Sequence, residues 1–300
     1  MTNTNRNKRL FEGTEKIKSI VKKNHLEDEI EVLSYQKLPC IRVNSYRALI
    51  RIVGYFKYTE KSSVVLRGQD RCYRSLKASL HRKKSPQSGK EIQRFLSDIQ
   101  KILDADKDPI NGLTTEPLLQ HYGINTRWLD VVDSVPHAVF FASYKHVVSP
   151  FNNQLFSYIP SNEECGVIYL IGLGDQKPIR KCRRIVSGLY KCSNNLKLVD
   201  LRKNKPSIAL RPHAQHGLLI SSTDLQTDIW DRLVARIIFP NELGRRWINS
   251  QAFEPCELFP HRHWDGIYGN LLKDSISTFL KREYSNGRDW GSILRYDFHK

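Results

Sequence analysis

Cysteine is scarce and unpatterned, with Cys40, Cys72, Cys165, Cys182, Cys192 and Cys256 as the only six in 300 residues. No spacing is a CxxC, which argues against structural zinc, and a chain this long can build its core without a disulfide framework. Free thiols in a reducing cytoplasm are the simplest reading. Long apolar runs are missing as well. No stretch reaches the length of a spanning helix, and the opening MTNTNRNKRLFEG lacks the apolar core of a secretory signal. A soluble, cytoplasmic protein with no membrane span is expected. Several enzyme signatures are also absent: there is no GxSxG, no glycine-rich Walker loop, no HExxH, and no convincing pair of spaced carboxylates for two-metal hydrolysis. Acid is the last shortage. Against 48 Lys+Arg stand 31 Asp+Glu, a formal net charge of +17. That balance suits a polyanion, an anionic substrate or an anionic surface, and does not choose among them.

What is present sorts into helices early and strands later. EKIKSIVKKNHLEDEIEVL, after a polar start, has apolar residues at roughly helical spacing. In 41–58, Ala48, Leu49, Ile52, Val53 and Phe56 form a helical stripe that Ser45 is placed to cap. Val64, Val65 and Leu66 then make a short β-favouring run, stopped by Arg67-Gly68. Residues 90–105, 116–130 and 133–147 read as further helices. GVIYLIGLG is the clearest central strand, GLLIS and RLVARIIFP are two more, and NELGRRWINS and 264–283 read as helices. These elements predict an α+β fold with a mixed or antiparallel central sheet and an N-terminal helical region. The expected division is an extension at 1–40, one domain at 41–283, and a tail at 284–300.

Two basic stretches stand out. Residues 70–84, DRCYRSLKASLHRKK, contain Arg82, Lys83 and Lys84. Residues 177–205 hold ten Lys/Arg, among them Lys181, Arg183 and Arg184, against the single acid Asp200. Phosphate-backbone contact by these six residues is one expectation, and a plain solvated face is the other. Tyr190 is the only aromatic in the second stretch, so no stacking platform is evident. His213, His216, His261 and His263 lack a further ligand at diagnostic spacing, and no metal is expected.

Five pieces of the chain together resemble a known pattern. They are LRGQ at 66–69; Leu76, Ser79, Leu80 and Arg82; LLQHYGINTRWLDVVDSVPHAVFFA at 118–142; RPHAQHGLL at 211–219; and LFPHRHWDGIYG at 258–269. In this order they resemble the FRG domain of bacterial and phage proteins, named for its Phe/Tyr-Arg-Gly motif, with Leu66 where the aromatic usually stands and Ala78 where Pro is typical. The resemblance locates a site more than it names a reaction.

Taken singly, each residue has two readings. Arg67 offers a rigid fork to a pyrophosphate or carboxylate, or pairs with an acid such as Asp130 to hold the fold. His121 can bind a ribose hydroxyl or act as a base, and Tyr122 can stack on a ring, or both are core residues. Arg127 and Asp130 are spaced to pair on a helix, with Arg127 either turned toward a substrate or purely structural. Gln215 can hold a ribose diol or an amide. The set also resembles the NAD-gripping layout of ADP-ribosyltransferases, in some of which a strand ends in aromatic-Arg-Gly and a later strand begins with a Gln/Glu element. That resemblance implies NAD as the nucleotide, Arg67, His121 and Gln215 as catalytic residues, and Arg67, Gly68, Tyr122, Arg127 and Gln215 as its binding set. The reaction implied is cleavage of the nicotinamide–ribose bond with transfer to a nucleic acid or protein acceptor, with Gln215 standing where such enzymes use a Glu. The competing expectation is a non-enzymatic module that binds a nucleotide or nucleic acid as a sensor or inhibitor in phage–host conflict, with a structural scaffold third.

Overall fold

The computed structural model describes residues 15, 17–19, 21–23, 25–35, 38–59, 63–82, 93–99, 112–151, 155–181, 184–204, 209–223, 228–251, 255–273 and 295–296. Among the described residues, twelve strands and a short thirteenth are β1 (Ile30–Tyr35), β2 (Leu38–Val43), β3 (Val64–Gln69), β4 (Leu129–Val132), β5 (Tyr144–Val148), β6 (Leu155–Pro160), β7 (Cys165–Gly172), β8 (Gln176–Lys181), β9 (Arg184–Cys192), β10 (Leu196–Asp200), β11 (Gly217–Ser222), β12 (Leu233–Pro240) and β13 (Arg295–Tyr296). Ten form one sheet in the order β1-β2-β12-β7-β3-β4-β11-β10-β9-β8, and β13-β6-β5 form a second. The large sheet is mixed: β2 and β12 run parallel, and its other neighbours are antiparallel. The fold is α+β.

GVIYLIGLG supplies β7, in the middle of the sheet. Its side chains alternate between two cores, with Ile168 and Leu170 on one side and Val167, Tyr169 and Ile171 on the other. Burial on both faces is why this strand reads as a continuous apolar run. The stripe expected near the N-terminus forms α1 (Tyr46–Thr59), which buries Ala48, Leu49, Ile52, Val53 and Phe56. Ser45 caps it by accepting the main-chain N–H of Ala48 at 3.1 Å.

Helix α3 (Val135–Ser143) lies tightly over the sheet. A Cβ at Gly68 would collide with the main-chain oxygen of Ala138, and one at Gly166 would come within 2.7 Å of that of Ala142. Small residues on neighbouring strands β3 and β7 therefore set how closely this helix packs.

Several expectations are corrected. Residues 129–132 form β4 and 144–148 form β5, not helix. Their runs LDVV and YKHVV are β-branched and short, and pairing with β11 and β6 overrides the helical spacing. Residues near 15–23 are helical, but Ile30–Tyr35 is a strand. With β2 it joins the main sheet, so the boundary expected between 40 and 41 falls inside a strand. The basic stretch 177–205 becomes β8, β9 and β10 at one sheet edge. The helix expected over 264–283 spans Gly266–Leu271 here, and its end and the tail beyond 284 fall largely outside the described residues. Among the described residues no helix is long and apolar enough to cross a membrane. Cys40, Cys72, Cys165 and Cys192 are free thiols.

Candidate functional site

The cleft begins where two strands part. β3 pairs with β7 from Val64↔Gly172 to Gln69↔Val167, but with β4 only at Leu66↔Val132. Beyond Leu66 the strands separate and a cleft of about 340 Å³ opens, in the size range of small-molecule sites. Arg67, Gly68 and Gln69 line it from β3, Asp130 from β4, and Gln120 and His121 from the end of α2 (Gly112–Gln120). Arg211, Gln215 and Gly217 enter from α4 (Leu210–Ala214) and the start of β11, and Phe156, Tyr158 and Phe259 form an aromatic wall.

Arg67 crosses the opening. Its Nη1 donates to the main-chain oxygen of Asp130 at 2.5 Å, while its Nε is buried without a partner. One arm thus ties β3 to β4, and the other is enclosed at the cleft wall. Burial draws the guanidinium below its usual pKa, and the Asp130 charge opposes that shift.

His121 and Gln215 form one unit. Gln215 Nε2 donates to the Leu258 carbonyl at 3.0 Å, which turns its Oε1 toward His121 Nδ1, 2.9 Å away. A carbonyl oxygen can only accept, so Nδ1 carries the proton and Nε2 presents a bare lone pair. That Nε2 is buried without a partner. Burial holds the imidazole below its ordinary pKa, with Asp130 and the Gln215 bond pulling the other way and Arg211 reinforcing the shift. Gly217 permits this approach, because a Cβ there would stand 2.7 Å from the ring. Gln215 is therefore the residue that fixes the tautomer of His121.

Asp130 places a carboxylate in the cleft. Asp130 lies in β4 and Arg127 in the bend before it, so the helical turn on which the two would pair is not formed. Gln120 Nε2 donates to Asp130 Oδ2 at 2.9 Å, and Gln120 Oε1 accepts the Thr126 hydroxyl at 2.6 Å. The acid is thus held in the cleft by an amide whose own orientation is fixed. Its charge reaches Tyr158, whose phenol is pushed up first by burial and then by Asp130, while Arg67 and Arg211 draw it down.

Tyr122 and Arg127 lie elsewhere. Tyr122 is fully buried, stacks on Tyr268 with centroids 5.6 Å apart, and donates to both Asp265 oxygens at 3.0 and 2.8 Å. It has no open face for a ligand ring. Arg127 binds Glu116 through Nε and Nη2, the latter at 2.6 Å, outside the cleft. Gly68 lines the cleft, but its lack of a side chain is used against α3.

Of the residues expected to meet phosphate backbone, Arg82 lines the cleft and donates to the Lys77 carbonyl at 2.9 Å. Lys181 and Arg184 pair at the end of the β8–β9 ladder. Their side chains, and Lys83, Lys84 and Arg183 entirely, lie outside the described residues. The register instead brings forward Lys177, Lys191 and Lys197, exposed and directly across from one another on β8, β9 and β10.

The residue that sequence reasoning passed over is Arg211. It stands at the head of the RPHAQHGLL element, four residues before Gln215. Its side chain is 1% exposed and still lines the cleft.

The FRG domain model matches residues 62–149, in agreement with the motif resemblance. This span supplies Arg67, His121 and Asp130, whereas Arg211, Gln215 and the aromatic wall come from outside it. No curated protein and no solved structure matches the chain.

Proposed function

With the FRG-domain match as premise, we propose that this cleft binds NAD as a substrate and cleaves its nicotinamide–ribose bond, in the manner of an ADP-ribosyltransferase. The observation that supports this is the meeting of Arg67, His121 and Gln215 with a carboxylate, Asp130, in one cleft. The unpartnered Nε of Arg67 suits a phosphate oxygen, and the unpartnered Nε2 of His121 suits a ribose hydroxyl. At about 340 Å³ the cleft encloses one nucleotide-sized half of a dinucleotide.

Cleavage sends the bonding pair to the departing nicotinamide and leaves a cationic ribose. Such a reaction needs charge stabilisation more than a strong base, and Asp130 supplies the anion. His121, kept neutral by burial, positions the sugar without repelling that cation. The acceptor's nucleophile then bonds to the ribose carbon and releases its proton to the carboxylate or to solvent. The acceptor is a nucleic acid or a protein side chain, and the setting is cytoplasmic, within phage–host conflict as a toxin or antiviral defence.

The test is incubation with NAD, reading nicotinamide by chromatography. Release that disappears in Arg67→Ala supports the reading; absence of release from the unmodified protein, across a panel of nucleic acid and protein acceptors, overturns it. A second reading, a nucleic-acid-binding module, is favoured by the row Lys177, Lys191 and Lys197. It expects tight, salt-dependent DNA or RNA binding with no NAD turnover.

A further inference from the structure

Arg211 is a cation sunk in the wall of the cleft, 1% exposed. Its Nη1 donates to the His121 carbonyl at 2.9 Å, while Nε and Nη2 are buried with no partner among the described residues. No carboxylate forms an ion pair with its guanidinium among those residues. Asp265, buried beneath it, accepts its main-chain N–H at 2.9 Å and the hydroxyl of Tyr122 instead. Aromatic rings hold the guanidinium in place, with its carbon 4.4 Å from the Tyr268 centroid and 4.9 Å from that of Tyr122. Cation–π contact fixes the group and leaves its hydrogen-bonding edge unspent.

The other unmet groups of the cleft define what would satisfy it. Arg67 Nε is a second buried donor, and His121 Nε2 and Gln69 Oε1 are buried acceptors, all without partners. Buried polar groups are ordinarily paired, so this set implies a complement. Two guanidiniums call for an oxyanion with several acceptor oxygens. Two bare acceptors call for hydroxyl or amide donors on the same ligand. A carboxylate or sulfate answers only the first demand, and an uncharged sugar only the second. A ribose carrying phosphate answers both.

We propose that Arg211 is the inner phosphate receptor of this cleft, acting with Arg67 as a two-guanidinium clamp on the diphosphate of an ADP-ribose-like ligand, whose hydroxyls donate to His121 Nε2 and Gln69 Oε1. The assignment rests on the nucleotide reading above but not on bond cleavage. It gives Tyr122 a positioning role, as the ring beneath Arg211.

Calorimetry with ADP-ribose, inorganic pyrophosphate and adenosine tests the clamp on the full chain. ADP-ribose and pyrophosphate are expected to bind, and adenosine to bind far more weakly. Arg211→Met should weaken ADP-ribose by about 100-fold and leave adenosine unchanged, the size expected for losing charge-assisted bonds. Should that variant fail to fold, Arg211→Lys keeps the charge without the fork and should cost about tenfold, against ADP-ribose and pyrophosphate alike. ADP-ribose affinity unchanged in a folded Arg211→Met or Arg211→Lys overturns the clamp, as does failure of the unmodified protein to bind either phosphate ligand. The two proposals separate cleanly. Clamped ADP-ribose with no NAD cleavage sinks the enzyme and leaves the clamp. NAD cleavage with an unchanged KM in Arg211→Lys sinks the clamp and leaves the enzyme.

Discussion

Arg67 and Arg211 in the cleft carry the same sign of charge as Lys177, Lys191 and Lys197 on the β8–β10 edge, in opposite surroundings. The arginines are rigid, enclosed and short of hydrogen-bond partners. The lysines stand exposed in a cross-strand row. Around 200–203, cations of the same basic stretch are instead neutralised, Arg202 by Asp133 and Asp200 at 2.9 Å each. A net charge of +17 therefore has at least three local meanings: a desolvated receptor, a salt-sensitive surface, and structural ion pairs. Coulomb interactions in the first are screened little by salt, and those in the second strongly.

The largest expected contrast is in turnover. Arg67→Ala should cut nicotinamide release by about 1,000-fold, the cost of a lost charge-stabilising donor, whereas replacing Lys177, Lys191 and Lys197 together by Gln should leave it within about twofold. Equal losses would erase the distinction between the two regions.

Acid sharpens the contrast next, because it adds buried charge beside the cleft and none at the lysine edge. His137 is held down to about 4 by burial above all, with His216 adding to the effect and its bond to the Ala214 carbonyl opposing it. Its folded pKa lies below its unfolded one, so the unfolded chain binds more protons between these values. Stability from this residue is full above about pH 6.5 and is lost as pH falls toward 4, by about 3 kcal/mol at most. Burial moves His121 in the same direction. Urea melts at pH 7 and 4.5 should show the drop, and His137→Gln should flatten it; identical slopes in the two proteins would remove His137 as the cause.

Asp130→Asn should slow nicotinamide release by about 100-fold while ADP-ribose affinity changes only a few-fold. A loss confined to KM would make Asp130 a binding residue. For the lysine edge, if the row meets three phosphates, its neutralisation should reduce the salt slope of nucleic-acid affinity by about 2.7, or about 40-fold between 50 and 200 mM salt. ADP-ribose affinity in the cleft should move less than about threefold over that range. Smallest of all, Lys191→Gln, which relieves repulsion from both neighbouring strands, should raise Tm by less than about 2 °C.

The helical stripe of α1 and the run of β7 were legible because each element's period follows directly from which of its faces is buried. Residues 129–132 were not. Three apolar residues, Leu129, Val131 and Val132, around Asp130 fit either state, and only pairing with β11 decides. That one change of element releases Arg127 to Glu116 and delivers Asp130 to the cleft. Tyr122 was misplaced for a related reason: a Tyr beside a helix end can face a cleft or the core, and the partner that draws it inward, Asp265, is 143 residues away. Arg211 gave no sign of burial, since a lone Arg in a polar turn ordinarily lies on the surface.

The sequence by itself determined the composition of the protein, the central strands, the α+β class and the order of the FRG-like motifs, all of which depend on local pattern. Tertiary structure alone decided that β3 and β4 part after Leu66, that Arg211 meets His121 across 90 residues, and that three lysines share one row. Each of these depends on strand register and on contacts between distant segments, and no window of sequence encodes either.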